Sequence, residues 1–379
     1  MAPSLTDQIK GRARDLGFDL VGIAPAGPPA HWAFYRRWVE KGYAGEMAYL
    51  GRNTERRADV RAVAPGAESV LCVGMNYPPG EVGVPDDGRP RGRVSRYALG
   101  EDYHDLMVAR LLRLLEEIRG LAPSAEGRVY VDTGPVLERD FASRAGVGWF
   151  GKHTNLIHKG MGSWFFLGEI ILTIALDYDA PAGNHCGTCT RCIDACPTGA
   201  IRAPYTLDSR RCISYLTIEL KGSIPRELRP QMGAWVYGCD VCQEVCPWNR
   251  KHAQPTREPG FGPREDTASP DLAELLKMDQ ATFSRRYRGS PVKRAKRRGL
   301  LRNAAVALGN VGSERDVTAL AVALDDSEAL VRGHAAWALG QIGGEAARRA
   351  LVAGTARETD ADVLCEMQLA LSDCCGKDG

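Results

Sequence analysis

Seven of the twelve cysteines in this 379-residue chain fall into two groups whose spacing sharply limits what the surrounding chain can do. The first group is Cys186, Cys189, Cys192 and Cys196, followed by Pro197; the second is Cys239, Cys242 and Cys246, followed by Pro247. Thiolates separated by two-residue gaps wrap one iron-sulfur cubane, and the cysteine before proline reaches a neighbouring cluster. The second group is one ligand short, because Val236 stands where the first spacing would place a cysteine, and Cys212 is the obvious substitute. The spacing therefore predicts one 4Fe-4S cluster on Cys186, Cys189, Cys192 and Cys246, and another on Cys196, Cys212, Cys239 and Cys242. Zinc sites and disulfides are the competing uses of paired cysteines, but neither needs crossed three-plus-one spacing with two Cys-Pro endings. Cys72, Cys365, Cys374 and Cys375 lack ligand spacing and receive no role.

The chain is long for a single core. Its first twenty residues mix Asp7, Lys10, Arg12, Arg14 and Asp15 without an apolar segment, unlike a secretory signal. The longest apolar run, from Trp164 to Leu176, is interrupted by Gly168 and Glu169 and is too short to span a bilayer, so it predicts a buried strand. Cluster-spaced cysteines without a signal predict a cytoplasmic protein with no membrane partner.

Leu5, Ile9, Ala13 and Leu16 recur at helical spacing and lead through Gly17 to a predicted strand from Leu20 to Ala24. Ser69 to Val73 predicts another strand, Leu106 to Ile118 a helix stopped by Gly120, and Arg128 to Val131 a further strand. Residues 1–180 thus read as an α/β domain, 181–257 as a bacterial-ferredoxin-like two-cluster domain, and 271–379 as basic and helical. Pro79 to Arg93 predicts a loop and Glu258 to Pro270 a connector, both from Pro and Gly content. Near the end, Ala304-Ala305, Leu308-Gly309, Gly312 and Leu320 recur 31 residues later as Ala335-Ala336, Leu339-Gly340, Gly343 and Leu351, the pattern of HEAT-like helix pairs.

The formal net charge is only +2, yet residues 281–313 contain no acidic residue and carry Arg285, Arg286, Arg288, Lys293, Arg294, Lys296, Arg297, Arg298 and Arg302. Such a run attracts phosphates or forms a solvated linker. Its position ahead of a helical appendage favours a polyanion partner.

Asp132 closes a predicted strand before a Gly134-Pro135 turn, where folds of this class present side chains to ligands; it could serve as a general acid or cap the next turn. Gly146, Gly148 and Gly151 follow, without the G-x-G-x-x-G placement of a dinucleotide site. His104 stands near Tyr97 and Tyr103, and a lone histidine is more often structural than a ligand.

Taken with the blocks 95–104, 131–157, 162–169, 213–221, 238–249 and 300–303, the chain resembles the epoxyqueuosine reductase family, iron-sulfur and cobalamin enzymes of tRNA queuosine modification. The resemblance implies a cobalamin in the N-terminal domain close to the first cluster, an anticodon stem-loop gripped with help from the HEAT-like end, and an external low-potential electron donor. It implies Asp132 as proton donor, a cobalamin environment of Arg57, Tyr97, Asp132, His153, Asn155, Ser214 and Asp240, and tRNA contacts at Lys221, Arg285, Arg286, Lys293, Arg294, Lys296, Arg297, Arg298 and Arg302. The D-x-H-x-x-G ligand pattern of other cobalamin proteins begins at Asp102 and His104 but fails at Met107, implying a cofactor without that histidine coordination. Competing readings are a reductive-dehalogenase-like enzyme acting on a small molecule, or a non-catalytic ferredoxin/HEAT electron carrier.

Overall fold

The computed structural model describes residues 3–80, 82–83, 85–265 and 267–375, with the Cys375 side chain excepted. Ser4 opens the first helix, Leu5–Asp15, with a capping box: its side chain accepts from the Asp7 amide while the Asp7 carboxylate accepts from the Ser4 amide. Ile9 and Ala13 turn inward from this helix. The chain then enters a four-stranded sheet ordered Leu20–Pro25, Ser69–Asn76, Phe165–Leu172 and Gly127–Tyr130. Every neighbouring pair in it is antiparallel, which puts the N-terminal region on the α+β side of its mixed class.

Strand Ser69–Asn76 is buried along its whole length because both faces of the sheet are covered. Leu71, Val73 and Ile170 face helices Leu5–Asp15 and Tyr103–Leu121, while Val70, Cys72 and Ile171 face Phe141 and Ala142 of helix Glu138–Arg144. This alternation is the two-residue period of a strand. It also delivers Asp132 and Glu138 to one end of the sheet.

The C-terminal helices Lys296–Val311, Ala329–Ile342 and Ala361–Cys375 stack side by side, with Val317–Ala323 and Gly344–Thr355 completing the pairs. The 31-residue repeat marks the helix crossings. A Cβ on Gly309 would lie 2.8 Å from the Ala338 Cα, and one on Gly340 would lie 2.9 Å from the Ala370 Cα. Replacing Gly by Ala inside an exposed helix gains roughly 1 kcal/mol of propensity, whereas forcing packed backbones apart costs typically ~1–3 kcal/mol. Gly340→Ala should therefore lower the unfolding midpoint in a denaturant titration; an unchanged or raised midpoint would refute this close packing.

One hydrophobic cluster crosses the expected segment boundaries, running from Val94 and Leu99 through Ile213 and Tyr237 to Trp337 and Cys374. Strand Trp235–Tyr237 pairs in parallel with Arg93–Val94, joining the cysteine-bearing region to the N-terminal one. The connector expected at 258–270 is instead a docked strap, apart from Asp266, which lies outside the described residues. Phe261 is buried against Phe166, and the Arg264 amide donates to the Leu99 carbonyl. The predicted loop at 79–93 is anchored at its end, where the Gly92 amide donates to the Pro270 carbonyl; Glu81 and Val84 lie outside the described residues.

Helix Lys296–Val311 corrects part of the basic-patch expectation. It is buried continuously from Gly299 to Leu308, and Arg302 is only 1% exposed. Arg302 donates to the carbonyls of Leu216, Leu220 and Gly222, while Asn303 donates to those of Thr217 and Val236. The pair clamps the segments that follow Cys212 and precede Cys239, so Arg302 is unavailable to RNA. Arg297 is likewise paired with Asp326 and the Met278 carbonyl.

Candidate active site

Asp132 follows strand Gly127–Tyr130 with a φ of +59°, in the left-handed region. Such a backbone costs of order 1–3 kcal/mol in a non-glycine residue and persists only where its surroundings over-determine it. The Tyr103 hydroxyl donates to Asp132 Oδ2 at 2.8 Å, and the Asp132 amide donates to Glu138 Oε2 at 3.2 Å. His104 Nε2 stands 3.6 Å from the same Oδ2, while 57% of the Asp132 side chain stays exposed. The result is an acid that faces solvent from a fixed turn.

Helix Tyr103–Leu121 supplies two of these partners from its first turn, where Asp102 caps it by accepting from the His104 amide. Burial works against the Asp102 charge, but hydrogen bonds from His104 and Arg294 prevail and hold its pKa at about 2. Arg294 donates to both Asp102 oxygens, at 2.9 and 2.8 Å, and its nitrogen lies 2.7 Å from His104 Nδ1. Arg294 is therefore committed to the wall of this site rather than to phosphate. Tyr103 stacks on Phe166 at 4.1 Å; burial and the Asp132 carboxylate raise its pKa, so the phenol remains a donor.

Across the site, Arg57 is nearly buried, 6.0 Å over the Tyr35 ring, with its Nε unpartnered. Tyr49 is raised by burial and by the charges of Glu219 and Asp132, which places all three groups in one neighbourhood. Behind Asp132 lie two further carboxyl groups. Burial, then the Asp132 charge, pushes Glu138 up to about 7. Glu169, in strand Phe165–Leu172, is 1% exposed with neither carboxyl oxygen hydrogen-bonded; burial, then Glu138 and Asp132, drives its pKa well up.

The thiols separate into the two expected sets. Cys186, Cys189, Cys192 and Cys246 line one surface cavity of about 330 Å³ together with His153 and Trp248. Burial first, then Cys246, Cys186 and Cys189, raises Cys192 to about 11. Burial and the charges of Cys212, Cys239 and Cys196 raise Cys242 in the other set. Among the described residues no three His, Cys, Asp or Glu side chains converge on a single-ion site. Thiolates around a four-iron cubane surround a larger volume than ligands sharing one ion, so both sets fit clusters.

The second set adjoins the expected cofactor block. Asp240, between Cys239 and Cys242, accepts from the Ser95 hydroxyl and the Arg96 amide; burial outweighs these bonds and lifts it to about 6. Tyr97 follows, 6.3 Å from the Tyr103 ring, and Ser214 sits in helix Ile213–Ile218 directly after Cys212. His153 and Asn155 occupy the turn between strands Trp149–Phe150 and Leu156–Ile157, with the Asn155 amide donating to His153 Nδ1. Burial pushes His153 down to about 4, so it is neutral, and its Nε2 has no partner. Orphaned buried nitrogens on Arg57, His104 and His153 suit a large ligand with many peripheral carbonyls, which is the fit a cobalamin requires.

Nothing in the sequence singles out Tyr103, Glu138 or Glu169 as a group, and a lone histidine such as His104 reads as structural. The one legible signal was Glu169, a carboxylate in an otherwise apolar strand.

Family models match the chain in three places: "Epoxyqueuosine reductase QueG, DUF1730" at 57–133, "4Fe-4S double cluster binding domain" at 185–249 and "HEAT repeats" at 294–372. An epoxyqueuosine reductase of Xanthomonas campestris is 48% identical over 354 residues, covering 90% of this chain and 98% of its own. The chain belongs to the epoxyqueuosine reductase family. The Escherichia coli epoxyqueuosine reductase is 43% identical, with 89% of each chain covered. A solved epoxyqueuosine reductase in complex with an epoxyqueuosine-modified tRNA-Tyr stem loop superimposes with a TM-score of 0.90 at 30% identity, covering 98% of both chains. The epoxyqueuosine reductase family thus accounts for the whole fold, including the two-cluster domain and the helical repeats.

Proposed function

We propose that this chain reduces epoxyqueuosine in a tRNA anticodon loop to queuosine, with electrons entering singly through two 4Fe-4S clusters and the epoxide oxygen leaving as water. The observation that carries this reading is Asp132, whose carboxyl accepts from Tyr103 and whose backbone amide donates to Glu138, with His104 Nε2 3.6 Å away, within one connected wall that reaches the second thiol set. Near-full-length relatives named for this activity, and a family member solved with the modified stem loop, support the substrate. Arg57, Tyr97, His153, Asn155, Ser214 and Asp240, with Asp132, are the residues we propose to hold cobalamin, which when bound supplies a strongly nucleophilic reducing centre. Cleaving a C–O bond needs a proton on the departing oxygen, and Asp132 is the exposed acid positioned to give it. Tyr103 orients that carboxyl. Asp102 and Arg294 hold the Nδ1 edge of His104.

Of the cations expected to meet RNA, Lys221, Arg285, Lys293 and Lys296 are exposed, as is the neighbouring Arg288, with Arg286 and Arg298 half-buried. The surface cavity of the first thiol set is the proposed point of entry for electrons from an external low-potential donor. A cytoplasmic setting suits this chemistry, and among the described residues no helix is long and apolar enough to cross a membrane.

Binding tests the substrate assignment. Titrating the anticodon stem-loop against salt should give a log–log slope of about −2 to −4 if three to five phosphates are neutralised. Lys293→Ala or Lys296→Ala should flatten the slope by roughly 1, whereas Arg302→Ala should reduce bound iron and stability. A salt-independent affinity would contradict the RNA reading.

A further inference from the structure

Removing an epoxide oxygen as water consumes two electrons and two protons, and a 4Fe-4S cluster passes electrons one at a time. On the proposed function, a one-electron carrier must therefore dock, give up its electron and leave twice in each turnover. The second thiol set adjoins Asp240 and Ser95 inside the reaction wall, which leaves the first set as the outer end of the path.

Three segments frame the cavity of that first set: 149–160, 185–193 and 246–256. Together they carry Lys152, Lys159, Arg191, Arg250 and Lys251 and not one Asp or Glu, in a chain whose formal net charge is only +2. The acids nearest in sequence are already engaged: Asp194 accepts from the Thr190 hydroxyl at 2.7 Å, and Glu244 pairs with Arg93 at 2.7 Å. Lys152 is committed to the cysteine loop, where its ammonium donates to the Gly187 and Cys189 carbonyls. Arg191 and Lys251 are different. Both line the cavity, both are exposed, and neither side chain makes an ion pair or hydrogen bond among the described residues.

The same cavity has an apolar part. Pro247 is exposed, and half-buried Trp248 stacks on His252 at 5.5 Å and meets Trp149 edge-on at 5.0 Å. Unpaired cations beside a small apolar patch suit an anionic protein held briefly, because charge steers the encounter while a small contact lets the partners separate. RNA is also anionic, but a stem-loop seated here would hold its modified base away from Asp132. Neither Asp132 nor Tyr103, His104 or Glu138 lines this cavity.

We propose that the rim formed by Arg191, Lys251, Pro247 and Trp248 is the docking surface for a small acidic protein carrying a one-electron redox centre. Each encounter moves one electron from the reduced carrier to the oxidised first cluster; no bond is made or broken and no proton moves. The carrier leaves oxidised by one electron, and a second reduced copy delivers the other. This assignment rests on the proposed entry of electrons at the first thiol set.

The test follows cluster reduction without tRNA, by Mössbauer spectra of isotopically iron-labelled holoprotein quenched at successive times after mixing with a reduced acidic ferredoxin or a reduced acidic flavodoxin. With at least one carrier the rate should fall as ionic strength rises from about 0.01 M to about 0.15 M, where the screening length drops from about 30 Å to about 8 Å. Arg191→Glu combined with Lys251→Glu should slow that carrier by roughly tenfold or more at low salt and weaken binding of its oxidised, non-transferring form, with bound iron unchanged. Arg191→Gln with Lys251→Gln should produce a smaller slowing of the same kind, which keeps the test valid if charge reversal disturbs cluster loading. Reduction by the methyl viologen radical cation, which needs no docked protein, should be unchanged or faster. Carrier rates that ignore both salt and substitution, equal slowing with carrier and viologen, or displacement of the carrier by the anticodon stem-loop would each overturn the docking surface. Normal docking in a protein that never yields queuosine would contradict the proposed function and leave the docking surface standing.

Discussion

Asp132→Asn should cut turnover by about 10²- to 10⁴-fold, the usual range for removing a general acid, while bound iron, bound cobalamin and tRNA affinity stay at wild-type levels. The substitution is unusually clean at this position. Asparagine, like aspartate, is among the non-glycine residues most often found at positive φ, so the +59° backbone gains no new strain. Its side-chain oxygen still accepts from Tyr103, whose hydroxyl lies 2.8 Å away, and its amide N–H still reaches Glu138. What is lost is the capacity to carry and release a proton. Single-turnover conversion of epoxyqueuosine tRNA is the readout, and a variant that turns over normally would remove Asp132 from the chemistry.

Cys212→Ser should halve the iron content, from about eight to about four per chain. Cys212 precedes helix Ile213–Ile218, whose carbonyls are gripped by Arg302 and Asn303, so the polypeptide around the lost ligand has its own anchors. The first set of Cys186, Cys189, Cys192 and Cys246 lines a separate cavity and should keep its cluster. The expected consequence is a protein that binds tRNA, carries one cluster and fails to turn over. Iron analysis and low-temperature EPR of the reduced protein read the two clusters directly. Eight irons in the variant would mean that the fourth ligand of the second set lies elsewhere.

The cysteine sets were legible because cluster ligation is written in local spacing, and Cys212 followed from the single gap at Val236. The antiparallel sheet was not legible. Its central strands are covered on both faces, and a continuously apolar run such as Ser69–Asn76 resembles a parallel strand in sequence. Composition also misread part of the basic stretch. Counting charges cannot distinguish Lys293 and Lys296 on the surface from Arg302, whose guanidinium replaces water with three backbone carbonyls. The strap around Phe261 was hidden for a similar reason: its Pro and Gly residues describe a loop, while one aromatic ring docks it. Asp132 stands out by its position after a strand, but its partners come from the starts of two separate helices. That convergence exists only in three dimensions.

The most direct measurement is the nucleoside product formed when anaerobically reconstituted protein meets epoxyqueuosine tRNA and a low-potential reductant, with cobalamin supplied or withheld, followed by digestion and mass spectrometry. Queuosine, lighter by one oxygen, should accumulate only when clusters, cobalamin and reductant are all present. Conversion without cobalamin, or no conversion with every component in place, would contradict the assignment.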